Sequence, residues 1–226
     1  MVGDVMSAHI YLHWATLAKL STAQPIAERK ASLAQRRSRL RAYRQRRLAD
    51  YLKVDATQLQ LVNTATGKPI LRDYAHLSFN HSHSHQHYAL AYSDRYANIG
   101  VDIEDLARQV RFEALAQHAF HPDEMARWQA SDFDPIYWFK VWTTKEAVLK
   151  ASGLGIRMNL NELNTQARII EDGGMCQHAQ IGSYAYQNIQ LPSAMLTVAW
   201  SAEASCKGFN FPTLKIETSL TNEHIA

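Results

Sequence analysis

The sequence predicts an α+β fold, and three observations predict it. Apolar residues recur at helical spacing over 27–52 and again over 134–152. Short runs at 9–17, 88–93, 98–104 and 196–201 read as strands. The two kinds of segment mix in both halves without the regular strand–helix alternation of a doubly wound parallel sheet. The chain has 226 residues, 46% of them hydrophobic, enough to build a substantial core.

HIYLHWATL (9–17) is the opening strand. Over 27–52 Leu33, Leu40, Tyr43, Leu48 and Tyr51 form the buried stripe of a helix whose other positions are mostly arginine. TGKPIL is a turn feeding a short extended piece, since Gly67 is permissive and Lys68 precedes a proline. YALAYS and NIGVDIE are two strands that the polar Asp94–Arg95 region joins as a hairpin. FEALAQHAF is a second helical run, and the segment from Glu171 to Gly174 is a turn. No repeat of 20 to 50 residues and no low-complexity linker interrupts the chain.

Several classes are excluded by composition. The stretch MVGDVMSAHIYLHWATL lacks the basic start, apolar centre and cleavage site of a signal peptide, and no apolar run reaches the roughly 20 residues that span a bilayer. Cys176 and Cys206 belong to no CxxC pattern, so neither a disulfide framework nor a zinc ribbon is expected. A cytoplasmic location without membrane association follows as the expectation. The net charge is +3, but RKASLAQRRSRLRAYRQRR concentrates the positive residues on one surface, which points to an anionic partner.

FNHSHSHQH (79–87) places a histidine at every second position. On a strand these would share a face about 7 Å apart, too widely spaced for all four to hold one zinc. The intervening Asn and Ser favour a turn instead. NIGVDIEDL is more pointed: Val101 and Ile103 alternate with Asp102 and Glu104, so a strand would bury one face and offer two carboxylates on the other. An ordinary solvated strand face would look the same, and a third carboxylate decides between them.

DPIYWFKVWTTKEAVLKASG supplies one. Asp134 and Pro135 are an N-cap and first-turn pair and Gly153 is a stop. Ile136, Trp138, Phe139, Trp142 and Leu149 fall on one broad face, and Glu146 and Lys150 lie inside it. A surface pair at i, i+4 would not interrupt an inward face, and a capping box at Thr143 would start a helix where one is already running. A buried charge needs a partner or a metal, so Glu146 and Lys150 are expected to line a site.

GKP (67–69), FNHSHS (79–84), GVDIE (100–104) and WTTKEAVLK (142–150), in this order, resemble the 4′-phosphopantetheinyl transferases, in particular the longer, monomeric type that activates surfactin synthetase. The resemblance covers most of the chain from the basic helix to Gly153. It implies two similar α+β halves related by a pseudo-twofold, 1–97 with the basic helix and coenzyme A contacts and 98–226 with the metal carboxylates and catalytic helix, with the active site at their junction. It implies transfer of the phosphopantetheine arm of coenzyme A to a serine of an apo acyl or peptidyl carrier protein. Asp102, Glu104 and Glu146 would hold Mg²⁺, Glu146 would also take the serine proton, and Lys150 would offset charge on the leaving phosphate. Lys68 and Pro69 would contact the nucleotide, Ser82 and His83 a phosphate, and Arg36 and Arg41 the 3′-phosphate, with Arg46 nearly as well placed. His81, His85 and His87 lie outside the family pattern and receive no role. A nucleic-acid-binding protein using the arginine-rich helix would explain the charge cluster but not Glu146, and a divalent-metal phosphohydrolase could use the same carboxylates.

Overall fold

The computed structural model describes residues 9–17, 29–155, 157–202 and 212–218, with the side chains of 29–33 outside the description, and the described residues fold around two four-stranded sheets. In the first sheet β1 (His9–Thr16) lies between β10 (Thr213–Thr218), parallel to it, and β5 (His87–Ser93), which pairs in turn with β4 (Ser78–His83). In the second, β6 (Gly100–Asp105) pairs with β9 (Ala194–Ser201), then β8 (Gly182–Gln190), then β7 (Gly173–His178). A small ribbon, β2 (Leu61–Asn63) and β3 (Pro69–Leu71), stands apart. The helices are α1 (Arg29–Leu52), α2 (Phe112–Ala119), α3 (Pro122–Ala130) and α4 (Pro135–Ser152).

One plan is used twice: a strand, a long helix, then a hairpin whose second strand returns beside the first. β1, α1 and β4–β5 follow it, and so do β6, α4 and β8–β9. This is the expected α+β architecture. The sheets face each other through Ile10, Leu12, Ala89 and Ala91 on one side and Val101, Ile103, Leu196 and Val198 on the other. Leu40, Tyr43 and Leu48 of α1 pack on the outer face of the first sheet against Phe79, Tyr88 and Leu90, and Ala147, Val148 and Ala151 of α4 share a core with Tyr186 and Ala199 of the second. The layers are therefore helix, sheet, sheet, helix.

α4 has the predicted ends: the Asp134 side chain accepts from the Ile136 and Tyr137 amides at 2.9 and 3.2 Å, and Gly153 stops the helix at φ 73°. Its burial is not one-sided as read from the sequence. Lys140, Thr143, Thr144 and Lys145 are buried as well, while Ile136 and Trp142 are only half-buried, because the helix is covered by the second sheet, α2, α3 and the 157–172 segment together.

Other expectations are corrected. The strands 88–93 and 98–104 form no hairpin; β5 and β6 belong to different sheets that pack face to face. β5 is buried at every residue and β6 at all but Glu104, its aspartates included, so burial does not follow the alternation that would say whether they meet edge to edge or face to face. The histidine-rich stretch is strand through His83, with the turn confined to 84–86. Gly173 and Gly174 open β7 and are not part of a turn. The helix α3 and the strands β7 and β8 had no reading in the sequence. Leu33's side chain, Cys206 and residues 1–8 of the amino-terminal stretch lie outside the described residues. Among the described residues no helix is long and apolar enough to cross a membrane.

Candidate active site

β4 and β6 are edge strands of different sheets and run side by side, and side chains close the seam between them. Ser78 Oγ accepts from the Ile99 amide at 2.9 Å, Asn80 Oδ1 from the Val101 amide at 3.2 Å, and Ser82 Oγ donates to Asp102 Oδ1 at 2.8 Å. The alternating polar residues of SFNHS thus satisfy groups that an unpaired edge would leave exposed.

α4 crosses this seam at very close range. A Cβ on Gly100 would stand 2.0 Å from the Ala147 carbonyl oxygen and 2.5 Å from the Ala151 nitrogen, so only glycine lets the helix lie on the strand. The crossing brings Lys150 Nζ to 2.6 Å from Asp102 Oδ1 and 2.9 Å from Ser82 Oγ. Lys150 therefore pairs with Asp102, not with Glu146 four residues before it. Lys68 fastens the same place from the β2–β3 ribbon, donating to the Ala151 carbonyl at 2.8 Å near the end of α4 and to the Ile99 carbonyl at 3.2 Å just before β6. Burial lowers its pKa to about 8.

Asp102, Glu104 and Glu146 come within electrostatic reach of one another. Burial raises the pKa of Glu104 and of Glu146, and in both cases the Asp102 charge raises it further. Glu104 is held by Arg108 at 2.7 Å. Asp102 Oδ2 is buried with no hydrogen-bond partner. Among the described residues no three acid, imidazole or thiol groups close around an ion. Asp102, Glu104 and Glu146 make an acidic ledge of oxygen donors, the donor type that Mg²⁺ takes, and Asp102 Oδ2 is its buried, unpartnered oxygen.

A cavity of about 250 Å³ lies beside the ledge, lined by Lys68, Pro69, His81, Leu149, Lys150 and Gly153. His83, at the end of β4, is exposed, and His81, which lines the cavity, is half-buried against Tyr88, ring centroids 6.0 Å apart. Burial lowers the pKa of both histidines, aided by Arg44 and Lys150 for His81, which falls to about 3, and by Arg36 and Lys150 for His83. His85 is exposed in the turn, and His87 turns away to Asp105. Arg36 donates to the carbonyls of Ser84 at 3.0 Å and His85 at 3.4 Å, whereas Arg41 and Arg46 are exposed. The structure adds Arg44 to the site's surroundings. Its Nε, His81 Nδ1 and the Tyr88 hydroxyl are all buried without partners. Seven arginines in twelve positions hide which one faces inward, and only the phase against Leu40, Tyr43 and Leu48 could have singled out Arg44.

A second buried knot braces α4. Lys145 and Glu124 pair at 2.8 Å, each almost wholly enclosed. Glu124 also accepts from the Thr165 amide at 2.7 Å, the Thr165 hydroxyl and the His121 amide at 2.8 Å, and Lys145 donates to the carbonyls of Leu160 and Leu163.

Residues 98–185 match the model of the ACPS family, described as the 4′-phosphopantetheinyl transferase superfamily. The chain is 39% identical over 114 residues to the 4′-phosphopantetheinyl transferase HetI of Nostoc sp., covering 48% of each. It is 33% identical over 118 residues to the 4′-phosphopantetheinyl transferase psf-1 of Bacillus pumilus, covering 51% of this chain and 48% of that one. It is 28% identical over 123 residues to the 4′-phosphopantetheinyl transferase Sfp of Bacillus subtilis, covering 54% and 52%. The chain spans about half the length of the curated relatives it matches. The stretch that carries β6, α4 and the carboxylate ledge is homologous to the 4′-phosphopantetheinyl transferase superfamily.

Proposed function

We propose that the protein transfers the 4′-phosphopantetheine group of coenzyme A to a serine of an apo carrier protein, giving the holo carrier and adenosine 3′,5′-bisphosphate, as a cytoplasmic monomer of the surfactin-synthetase-activating type. The observation that carries this reading is the convergence on Asp102: Ser82 from one sheet and Lys150 from α4 share one oxygen, and the other is buried and unpartnered. If the chain divides into halves near 97/98, Ser82 comes from one half and Asp102 and Lys150 from the other.

In this reading Asp102 and Glu146, with Glu104 third, would hold Mg²⁺, which would supply a hard positive charge to offset the pyrophosphate. The carrier serine oxygen attacks in line at the phosphorus bearing pantetheine, a new P–O bond forms, and the bond to the adenosine bisphosphate oxygen breaks. Glu146 accepts the serine proton directly or through a water, and its raised pKa is the direction that strengthens a base. Lys150 stands one helical turn further and offsets charge on the departing phosphate. Ser82 orients Asp102, and His83 with Arg36 faces a phosphate. Lys68 and Pro69 line the nucleotide side, with Lys68 also tying the end of α4. Arg44 is a better placed phosphate partner than the exposed Arg41.

Incubation with coenzyme A, Mg²⁺ and several apo carrier proteins, followed by intact-mass measurement, should show carriers gaining the mass of one phosphopantetheine. Release of inorganic phosphate without any carrier would instead indicate a phosphohydrolase, and tight, salt-sensitive binding of DNA or RNA without coenzyme A binding a nucleic-acid protein.

A further inference from the structure

Asp105, the last residue of β6, is buried and gathers donors from a single turn. Its Oδ1 accepts from Ser84 Oγ at 2.7 Å and from His87 Nδ1 at 2.5 Å, and its Oδ2 from the Gln86 amide at 2.9 Å. The Ser84 amide closes that turn onto the His87 carbonyl at 2.9 Å. With its Nδ1 proton on Asp105, the buried His87 ring accepts through Nε2 from Ser193 Oγ at 3.1 Å. Ser193 sits in the tight β8–β9 turn, where the Leu191 amide donates to the Ala194 carbonyl and the Leu106 amide to the Ser193 carbonyl.

The turn that Asp105 holds begins immediately after His83 and carries the Ser84 and His85 carbonyls that seat Arg36. Asp105 itself follows Glu104 and stands three residues after Asp102. One carboxylate therefore fixes the strand bearing the phosphate-facing groups against the strand bearing the ledge.

We propose that Asp105, acting through His87 and Ser84, is a positioning residue that sets the phosphate-facing turn at 83–87, with the Arg36 guanidinium seated on it, relative to the Asp102 ledge. The proposal rests on the transferase reading. It gives His87 a role that the family pattern does not. Ser193, His87 and Asp105 also stand in the order of nucleophile, base and orienting acid, and labelling of Ser193 separates that chemistry from positioning.

The test uses the full chain and the variants Asp105→Asn, Ser84→Ala, His87→Ala and His87→Asn. Thr165→Val, which removes a buried hydroxyl from the Glu124 knot, is the stability control. Coenzyme A binding is measured by calorimetry without carrier protein, and hydrogen exchange is followed at the Gln86 and His87 amides. Losing a charge-assisted hydrogen bond should weaken coenzyme A binding about tenfold in Asp105→Asn and His87→Ala. The KM for coenzyme A should rise in parallel while kcat at saturation stays within about threefold. Exchange at 86–87 should quicken. His87→Asn, whose amide can replace the Nδ1–H donor, should recover most of the affinity, and Thr165→Val should leave it unchanged at a comparable loss of Tm. Faster exchange at 86–87 with unchanged coenzyme A affinity overturns the proposal, as does an equal loss of affinity in Thr165→Val. Stoichiometric fluorophosphonate labelling of Ser193 that needs His87 would replace positioning by nucleophilic chemistry. A wild-type protein that binds no coenzyme A would remove the transferase reading itself, and the positioning role with it.

Discussion

Glu124 and Asp102 are both buried carboxylates paired with a lysine of α4, and they differ in how they are completed. Glu124 has both oxygens occupied, by Lys145, Thr165 and His121, in an enclosed knot. Asp102 has one oxygen shared by Lys150 and Ser82 and the other empty-handed, beside a cavity. Burial lowers the Lys145 pKa even with Glu124 beside it, so desolvation outweighs pairing there. The Glu124 pair is saturated, whereas Asp102 keeps one buried oxygen without a partner.

The largest effect should come from breaking the saturated pair. Glu124→Ala strands the Lys145 ammonium and should cost about 3–5 kcal/mol of stability, read by denaturant unfolding. Retention of normal stability would mean that the Lys145 charge is lost in the fold and that the pairing matters little.

Asp102→Ala should do the reverse, with little change in unfolding and a fall in turnover of on the order of 10²–10³-fold, by analogy with the removal of one electrostatic group from an active site. A near-normal rate at ordinary Mg²⁺ concentrations would sink the ledge assignment.

These two carboxylates also mark how far the sequence could be read. Asp102 was legible because VDIE alternates, and Glu146 and Lys150 because their helix announces both its ends with Asp134, Pro135 and Gly153. Glu124 and Lys145 were not, since their partners are 21 residues apart on different helices and nothing local marks them. Asp105 and His87 were missed for the same reason, and the false hairpin at 88–104 arose where two neighbouring buried strands concealed their long-range partners. Local chemistry is written locally; pairings across the fold are not.

Smaller effects sharpen the comparison at the cavity. Arg44→Ala should reduce the preference for coenzyme A over dephospho-coenzyme A about tenfold, the scale of one charged hydrogen bond, while exposed Arg41→Ala should leave the ratio alone. An equal loss of preference in both variants would make the helix a diffuse positive face.

Asp105 provides a pH signature. Burial would raise its pKa, but hydrogen bonds from His87, Ser84 and the Gln86 amide outweigh that and hold it below the ordinary carboxylate value. A depressed folded-state pKa gives stability that is present above the unfolded value near 3.9 and lost as pH falls through the folded one. The stability gap between wild type and Asp105→Asn, followed by thermal unfolding, should therefore narrow below about pH 4. A gap that stayed constant to the lowest pH tolerated would show that the carboxylate charge does not matter.

The smallest effect is long-range. With coenzyme A saturating, added salt should raise the KM for an acidic carrier more than it alters kcat, since charges beyond about 8 Å are screened at physiological ionic strength. A KM constant to several hundred millimolar salt would argue for an apolar docking surface.

The contact at Gly100 makes the ledge conditional on a single hydrogen atom. A methyl group there meets the backbone of α4, which cannot rotate aside as a side chain can, so the helix must lift and carry Glu146 and Lys150 with it. A displacement of about 1 Å is enough to cost a hundredfold in rate. Gly100→Ala is thus a natural place for a temperature-sensitive allele, folded and nearly idle when cool and lost on warming, and mutational screens should recover it among the conditional variants.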